Sequence, residues 1–378
     1  MQPVRTRSKV LYILLISGFF AILGSTMSKS PTLPLYARDL GLGREEIGLV
    51  AAASTVTGII VNFASGVLSD VYGRRKLLKM SGFVFLTAPP LYFLAGNALT
   101  LAFVRVYYGI ATAVFVPVSF ALISDTYPEK KGTFMGFLSS ATLAGRALAP
   151  LIAGSIIYFL GFSVVFVLCS VAGLIVFALT FRLPVPDGKP ERFEFTFNDN
   201  LLLIGLLDAA VYMAYQGIET FLPLLYYLQG KAWLSGLILS LEVGVMAIVK
   251  PYAGYLSDRV GRTRPIIGGM VLVGAAMLTF SLASSLPLVI VGALSFSVGA
   301  SLSEASTKPL ATEVSKLHGA ALGFLESIKD IGQALGPVII GILGFSRGFT
   351  FIGLFGIVAL LVFVVRFGLR GPQISKNR

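Results

Sequence analysis

Long stretches of the chain carry no charge. Met80–Val104 lies between Lys79 and Arg105, Ala147–Phe181 runs for 35 residues, and Pro265–Ser303 for 39. A helix of about 20 apolar residues crosses the ~30 Å hydrocarbon layer of a membrane. The two longest runs therefore each hold two crossings. Each has a turn signal near its middle, Leu160-Gly161-Phe162 in one and Ser284-Ser285-Leu286-Pro287 in the other. Cutting the chain at such signals predicts twelve helices, at 10–29, 46–70, 77–96, 98–123, 133–158, 162–182, 200–227, 233–257, 265–283, 287–312, 319–344 and 348–368. Membrane strands are excluded, because they need only about ten residues and alternate with period two. Arg5, Arg7 and Lys9 precede the first apolar run as they would in a signal peptide. No small-residue cleavage site follows, so this run is read as a retained helix.

Composition agrees. Hydrophobic residues make up 56% of the 378, charged residues 13%, and the mean hydropathy is +0.86. Soluble domains carry about 25% charged residues, so an ordinary soluble enzyme, a disordered chain and a secreted disulfide scaffold are excluded. With one cysteine (Cys169) and one histidine (His318), the chain can form neither an internal disulfide nor a Cys/His metal cluster. Neither Gly-Lys pair, Gly188-Lys189 or Gly230-Lys231, stands in a phosphate-binding loop. No cofactor and no metal are expected.

The net charge of +12 raises the question of nucleic acid. If the N-terminus is placed in the cytoplasm, twenty of the thirty basic residues fall in cytoplasmic segments. Five (Lys29, Arg38, Arg44, Lys231, Arg347) fall outside, and the rest lie within helices. That bias is the positive-inside rule at work. It puts both termini on the cytoplasmic side of a cell membrane and accounts for the charge without a nucleic-acid partner.

The chain also repeats itself. Gly66-Val-Leu-Ser-Asp70-Val-Tyr-Gly73-Arg74-Arg75 returns as Gly254-Tyr-Leu-Ser-Asp258-Arg-Val-Gly261-Arg262 after 188 residues. Pro34 and Pro223, Gly48 and Gly236, Asp125 and Glu313, Gly132 and Gly319, Gly136 and Gly323, and Ala149-Pro150 and Gly336-Pro337 keep that offset within one residue. Six helices are thus duplicated in parallel. The expected organisation is an N-terminal bundle at 1–182, a polar, Pro-rich cytoplasmic linker at 183–199 and a C-terminal bundle at 200–378.

With these motifs the chain resembles the major facilitator superfamily of secondary transporters over essentially its whole length. Gly66-x-x-x-Asp70-x-x-Gly73-Arg74-Arg75 is similar to the signature between helices 2 and 3 of that superfamily. Leu101-x-x-x-Arg105-x-x-x-Gly109 looks like its helix-4 motif. Gly145-x-x-x-Ala149-Pro150-x-x-Ala153-Gly154 looks like the Gly-Pro motif of the drug/proton antiporter branch, with Ala at two positions where that branch usually has Gly. The resemblance implies an all-α membrane fold of twelve helices in two pseudo-symmetric six-helix bundles. It also implies a cytoplasmic latch at Gly66, Asp70, Gly73, Arg74, Arg75 and Asp125, with Gly254, Asp258, Gly261 and Arg262 as its counterpart. A carboxylate such as Asp70 can pair with the neighbouring arginines and with a helix N-terminus, and Gly73 and Gly261 permit a tight turn. In helices 5 and 11, Gly145, Pro150, Gly154, Gly332, Gly336 and Pro337 are kink and packing positions.

Four helices bear a polar stripe at helical spacing. The seventh carries Asp208, Tyr212, Tyr215, Gln216 and Glu219. The fourth carries Arg105, Tyr108, Thr112 and Ser119; the tenth, Ser297, Ser301, Glu304 and Lys308; the first, Ser17, Gly24, Ser25 and Ser28. That the stripes share one cavity is what the resemblance implies. The alternative is that these groups satisfy one another between helices. Arg146, inside the fifth span, needs a partner or water. Carboxylates concentrate in the second half: Asp208, Glu219, Glu242, Glu304, Glu326 and Asp330. Glu326, Lys329 and Asp330 are close enough on one helix for a local ion-pair group. The substrate and proton-coupling candidates are Arg105, Tyr108, Arg146, Asp208, Tyr212, Tyr215, Gln216, Glu219, Glu242 and Glu304.

The expected function is alternating-access transport, as a monomer in the lipid bilayer, of a small amphipathic molecule, with protons moving the other way. An uptake symporter on the same fold is the nearest competitor. A non-transporting membrane sensor and a polytopic membrane enzyme are the others. No nucleophile–base–orienter set is visible for an enzyme.

Overall fold

The computed structural model describes residues 4–127, 131–184, 199–227, 231–282, 285–314 and 318–368. Nearly all of the linker expected at 183–199 lies outside the described residues. Among those described, every regular element is a helix. They are α1 (Val4–Lys29), α2 (Thr32–Asp39), α3 (Arg44–Tyr72), α4 (Arg74–Thr87), α5 (Ala98–Thr126), α6 (Lys131–Leu160), α7 (Phe162–Phe181), α8 (Asp199–Tyr227), α9 (Ala232–Val260), α10 (Thr263–Ser281), α11 (Leu286–Glu313), α12 (His318–Leu343) and α13 (Phe345–Phe367). Apart from the short α2, these match the twelve helices expected. Among the described residues, ten helices are long and apolar enough to cross a membrane.

One expected helix is interrupted. The span read as 77–96 runs as α4 only to Thr87 and finishes as a 3₁₀ segment at Pro89–Leu94. Two successive prolines, Pro89 and Pro90, remove two backbone donors and end the α-helical ladder. The restart is capped: Asn97 Oδ1 accepts from the Thr100 N–H at 2.9 Å, and Thr100 Oγ1 accepts from the Asn97 N–H at 3.2 Å.

Two compact units emerge. The first is Met1–Arg192 with Leu222–Ser240, the second Phe193–Phe221 with Leu241–Arg378. In the first, α1 packs on α6 and α7, α3 on α5, and α4 on α5 and α7. Its core includes Phe85, Tyr92, Tyr108, Phe115 and Phe166, with Tyr92 stacked on Phe166 at 4.6 Å. It also takes in the first turns of α9, where the Leu151 N–H donates to Ser240 Oγ at 2.9 Å. In the second, α10 packs on α11 and α13, and Phe280 stacks on Phe349 at 5.4 Å.

Candidate functional site

The repeated loop forms equivalent ion pairs in the two halves. Gly73 joins α3 to α4 with φ +91°, and Gly261 joins α9 to α10 with φ +87°. Glycine alone adopts this backbone without strain, and the turn brings the next residue, an arginine, to a helix start. Arg74 Nε lies 2.8 Å from Asp125 Oδ2 at the end of α5. Arg262 Nε lies 2.9 Å from Glu313 Oε1 at the end of α11, and Arg262 Nη1 also holds Asp258. Asp125 and Glu313 were already paired by the repeat register. Burial works against the charge on Arg262, but its hydrogen bonds and charge pairing with Glu313 and Asp258 outweigh this and raise its pKa. The side chains of Asp70 and its neighbour Val71, and Gly66, lie outside the described residues. Because both acids of Arg262 are partly exposed, Glu313→Gln and Asp258→Asn should each cost under about 1 kcal/mol. Thermal unfolding of the purified variants checks this.

The helix-4 motif acts on a single residue of α3. Arg105 Nη2 donates to Ser54 Oγ at 2.6 Å, and a side chain at Gly109 would meet Ser54 O at 2.8 Å. Arg105 Nη1 donates to Tyr92 Oη at 3.2 Å. Arg105 is 3% exposed, so this guanidinium is buried on hydroxyl partners. Tyr108 is buried too, edge-on to Phe85 at 5.9 Å. Arg146, by contrast, lies on an exposed face of α6.

The Gly-Pro stretch of α6 lies in close contact with α1 and with the first turns of α9, where a Cβ at Gly236 would fall 2.2 Å from Pro150 O. A Cβ at Gly145 would lie 2.6 Å from Phe19 O of α1. Its repeat counterpart Gly332, with Gly336 one turn on, presses α12 against α8. There a Cβ would fall closer than 3.0 Å to the Ala209 and Met213 carbonyls. Small residues let these backbones touch.

The stripe hydroxyls mostly bond to carbonyls of their own helix. Thr112 Oγ1 donates to Gly109 O, Ser28 to Ser25 O, Ser301 to Ser297 O, and Ser297 to Ala293 O. A hydroxyl in a helix finds the carbonyl of the preceding turn in reach without any partner helix. Ser297 also reaches across, to Glu242 O at 3.0 Å.

Apart from the Arg262 turn, the mid-helix ionisable residues of the second unit form two groups. In the larger, Lys250 Nζ lies 2.5 Å from Glu304 Oε2, to which Tyr212 Oη also donates at 3.3 Å. Lys308 Nζ lies 2.7 Å from Glu326 Oε1, and Lys329 holds Glu326 and lies 3.4 Å from Asp330. Lys329 also sits 4.8 Å above the Tyr212 ring, and Thr307 Oγ1 donates to Asp208 Oδ1 at 2.8 Å. Gln333 Nε2 donates to Gln216 Oε1 at 2.9 Å. In the smaller cluster Tyr215 Oη donates to Glu219 Oε1 at 2.9 Å, with Glu242 nearby. Sequence reasoning missed Lys250, Thr307 and Gln333. The signal for Lys250 was a lone lysine in an otherwise apolar stretch of α9.

The family model described as Major Facilitator Superfamily matches residues 14–246 and 204–378. An uncharacterized MFS-type transporter of Methanocaldococcus jannaschii is 26% identical over 381 residues, covering 95% of this chain and 98% of that one. The multidrug resistance protein MdtG of Klebsiella pneumoniae is 27% identical over 377 residues, covering 92% and 90%. Among solved structures, a bacterial homolog of the human lysosomal transporter Spinster, in an inward-facing and occupied conformation, matches with a TM-score of 0.83. It is 16% identical and covers 96% of this chain and 97% of its own.

Proposed function

The chain belongs to the Major Facilitator Superfamily, and from that premise we propose that it is a proton-coupled antiporter exporting a small amphipathic compound by alternating access. It is a multi-pass membrane protein whose fold and family are those of transporters rather than enzymes, and its partners are the bilayer and a small-molecule substrate. The finer reading places it as a monomer in the plasma or inner membrane with both termini cytoplasmic, which rests on the positive-inside bias.

The observation that carries proton coupling is the unequal charge inside the second unit. Mid-helix it holds the carboxylates Asp208, Glu219, Glu242, Glu304, Glu326 and Asp330 and the lysines Lys250, Lys308 and Lys329, and the lysines are engaged by Glu304, Glu326 and Asp330. A buried carboxylate such as Glu242, whose oxygens meet no donor among the described residues, is suited to take up and release a proton as its surroundings alternate between dry and wet. The export direction is supported by the Gly-Pro motif and by the multidrug resistance relative. The paired ionic turns at Arg74 and Arg262 are assigned as the cytoplasmic latch.

Proteoliposomes test this reading with ethidium, an amphipathic fluorescent probe detected by DNA trapped inside. Vesicles acid inside should take up ethidium several-fold faster than vesicles without a gradient, and a protonophore should abolish the difference. Faster entry with acid outside would instead mark a symporter, and no protein-dependent flux under either gradient would remove the antiporter reading.

A further inference from the structure

Donors sort the six carboxylates that lie mid-helix in the second unit: Asp208, Glu219, Glu242, Glu304, Glu326 and Asp330. Glu304, Glu326 and Asp330 each face an ammonium group. Asp208 accepts from Thr307 and Glu219 from Tyr215. Glu242 has no such partner: it is 1% exposed, and neither carboxylate oxygen meets a donor among the described residues.

The charged group that acts on Glu242 among the described residues is another acid. It is Glu219 on α8, which accepts from the Tyr215 hydroxyl. On α11, Ser297 donates to the backbone carbonyl of Glu242 rather than its carboxylate. Glu304, further along α11, is bound to Lys250, the ammonium two turns along α9 from Glu242. An ionised carboxylate in such a place is strongly disfavoured, and a second carboxylate nearby disfavours it further. A proton neutralises it with no added ligand. A metal cation would instead require several oxygen ligands around it.

We propose that Glu242 carries a proton in this conformation, and that Glu242 and Glu219 form a carboxyl pair distinct from the lysine-bound cluster. The pair takes one proton from water to give a carboxylic acid beside a carboxylate, and releases it to water when the helices separate. Any role of this proton in transport rests on the antiport reading above; its presence at Glu242 does not.

Infrared spectroscopy of the purified full-length protein in lipid, at neutral pH with no substrate added, tests the proposal. The wild type should show carbonyl absorption of protonated carboxylic acid that shifts in deuterated water. Glu242→Gln should lose one component of it, Glu242→Asp should restore a shifted component, and Glu304→Gln should leave that component in place. Glu219→Gln should shift the component without removing it. Circular dichroism and thermal unfolding establish that each variant is folded, and Glu242→Asp carries the comparison if the Gln variant is not. An unchanged spectrum in Glu242→Gln, or loss of the component in Glu219→Gln instead, would overturn the assignment. So would a component seen in choline buffer and abolished by sodium at the same pH, which would mean a metal cation occupies the site. Because ethidium flux in the wild type judges the antiport reading separately, either idea can fail while the other stands.

Discussion

Replacing Lys250 with Met should lower the stability of the purified protein by about 3 kcal/mol, the low end for breaking a buried ion pair. Glu304 is 2% exposed, whereas the Lys250 side chain is 42% exposed. Removing the lysine leaves the buried Glu304 carboxylate with Tyr212, at 3.3 Å, as its remaining hydrogen-bond donor among the described residues. Glu304→Gln should cost much less, because the ammonium it abandons already reaches water. The double variant should recover most of the loss, since the cost lies in the orphaned charge rather than in the missing attraction. Thermal unfolding of the four proteins in one detergent measures the asymmetry. Equal losses in the two single variants would show that Glu304 is better hydrated than its burial indicates.

Gly336→Val should be as damaging, through shape instead of charge. Gly332 and Gly336 stand one turn apart on α12, and each faces a backbone carbonyl of α8 too closely for any Cβ. A valine there must push α12 from α8, and with it Glu326, Lys329 and Gln333, which make the polar contacts of the same helix. Overpacking of this kind costs about 1–3 kcal/mol even where side chains can yield, and backbone yields less. The expected result is a large drop in monodisperse protein on size-exclusion chromatography. Gly254→Ala is the control: nothing lies within 4 Å of its Cβ position, and its yield should match the wild type.

The parts of the site that could be read from the chain are those fixed by local spacing. Gly73 and Gly261 were expected as turn glycines, and both have positive φ. Asp125 and Glu313 were matched by register, and each meets the arginine that follows its turn. The Glu326, Lys329 and Asp330 group is within reach along one helix, and Lys329 does hold both acids. The break at Pro89-Pro90 was also visible in the chain, but hydropathy runs straight through it.

Periodicity assigns a residue to a face of its helix and leaves open which neighbour that face meets. Asp208, Glu219, Glu242 and Glu304 look alike on that basis, as four acids in apolar helices. Their partners come from other helices or from a particular rotamer: Lys250 stands 54 residues before Glu304, and Thr307 stands 99 residues after Asp208. Hydrophobicity and spacing therefore settled the helices, their duplication and the ionic turns, because those are properties of neighbours along the chain. Helix packing and side-chain rotamers separated the acid with an ammonium from the acid with a hydroxyl and from the acid with neither. The energy of a buried charge depends on what lies within a few ångströms of it, and those atoms belong to distant parts of the sequence.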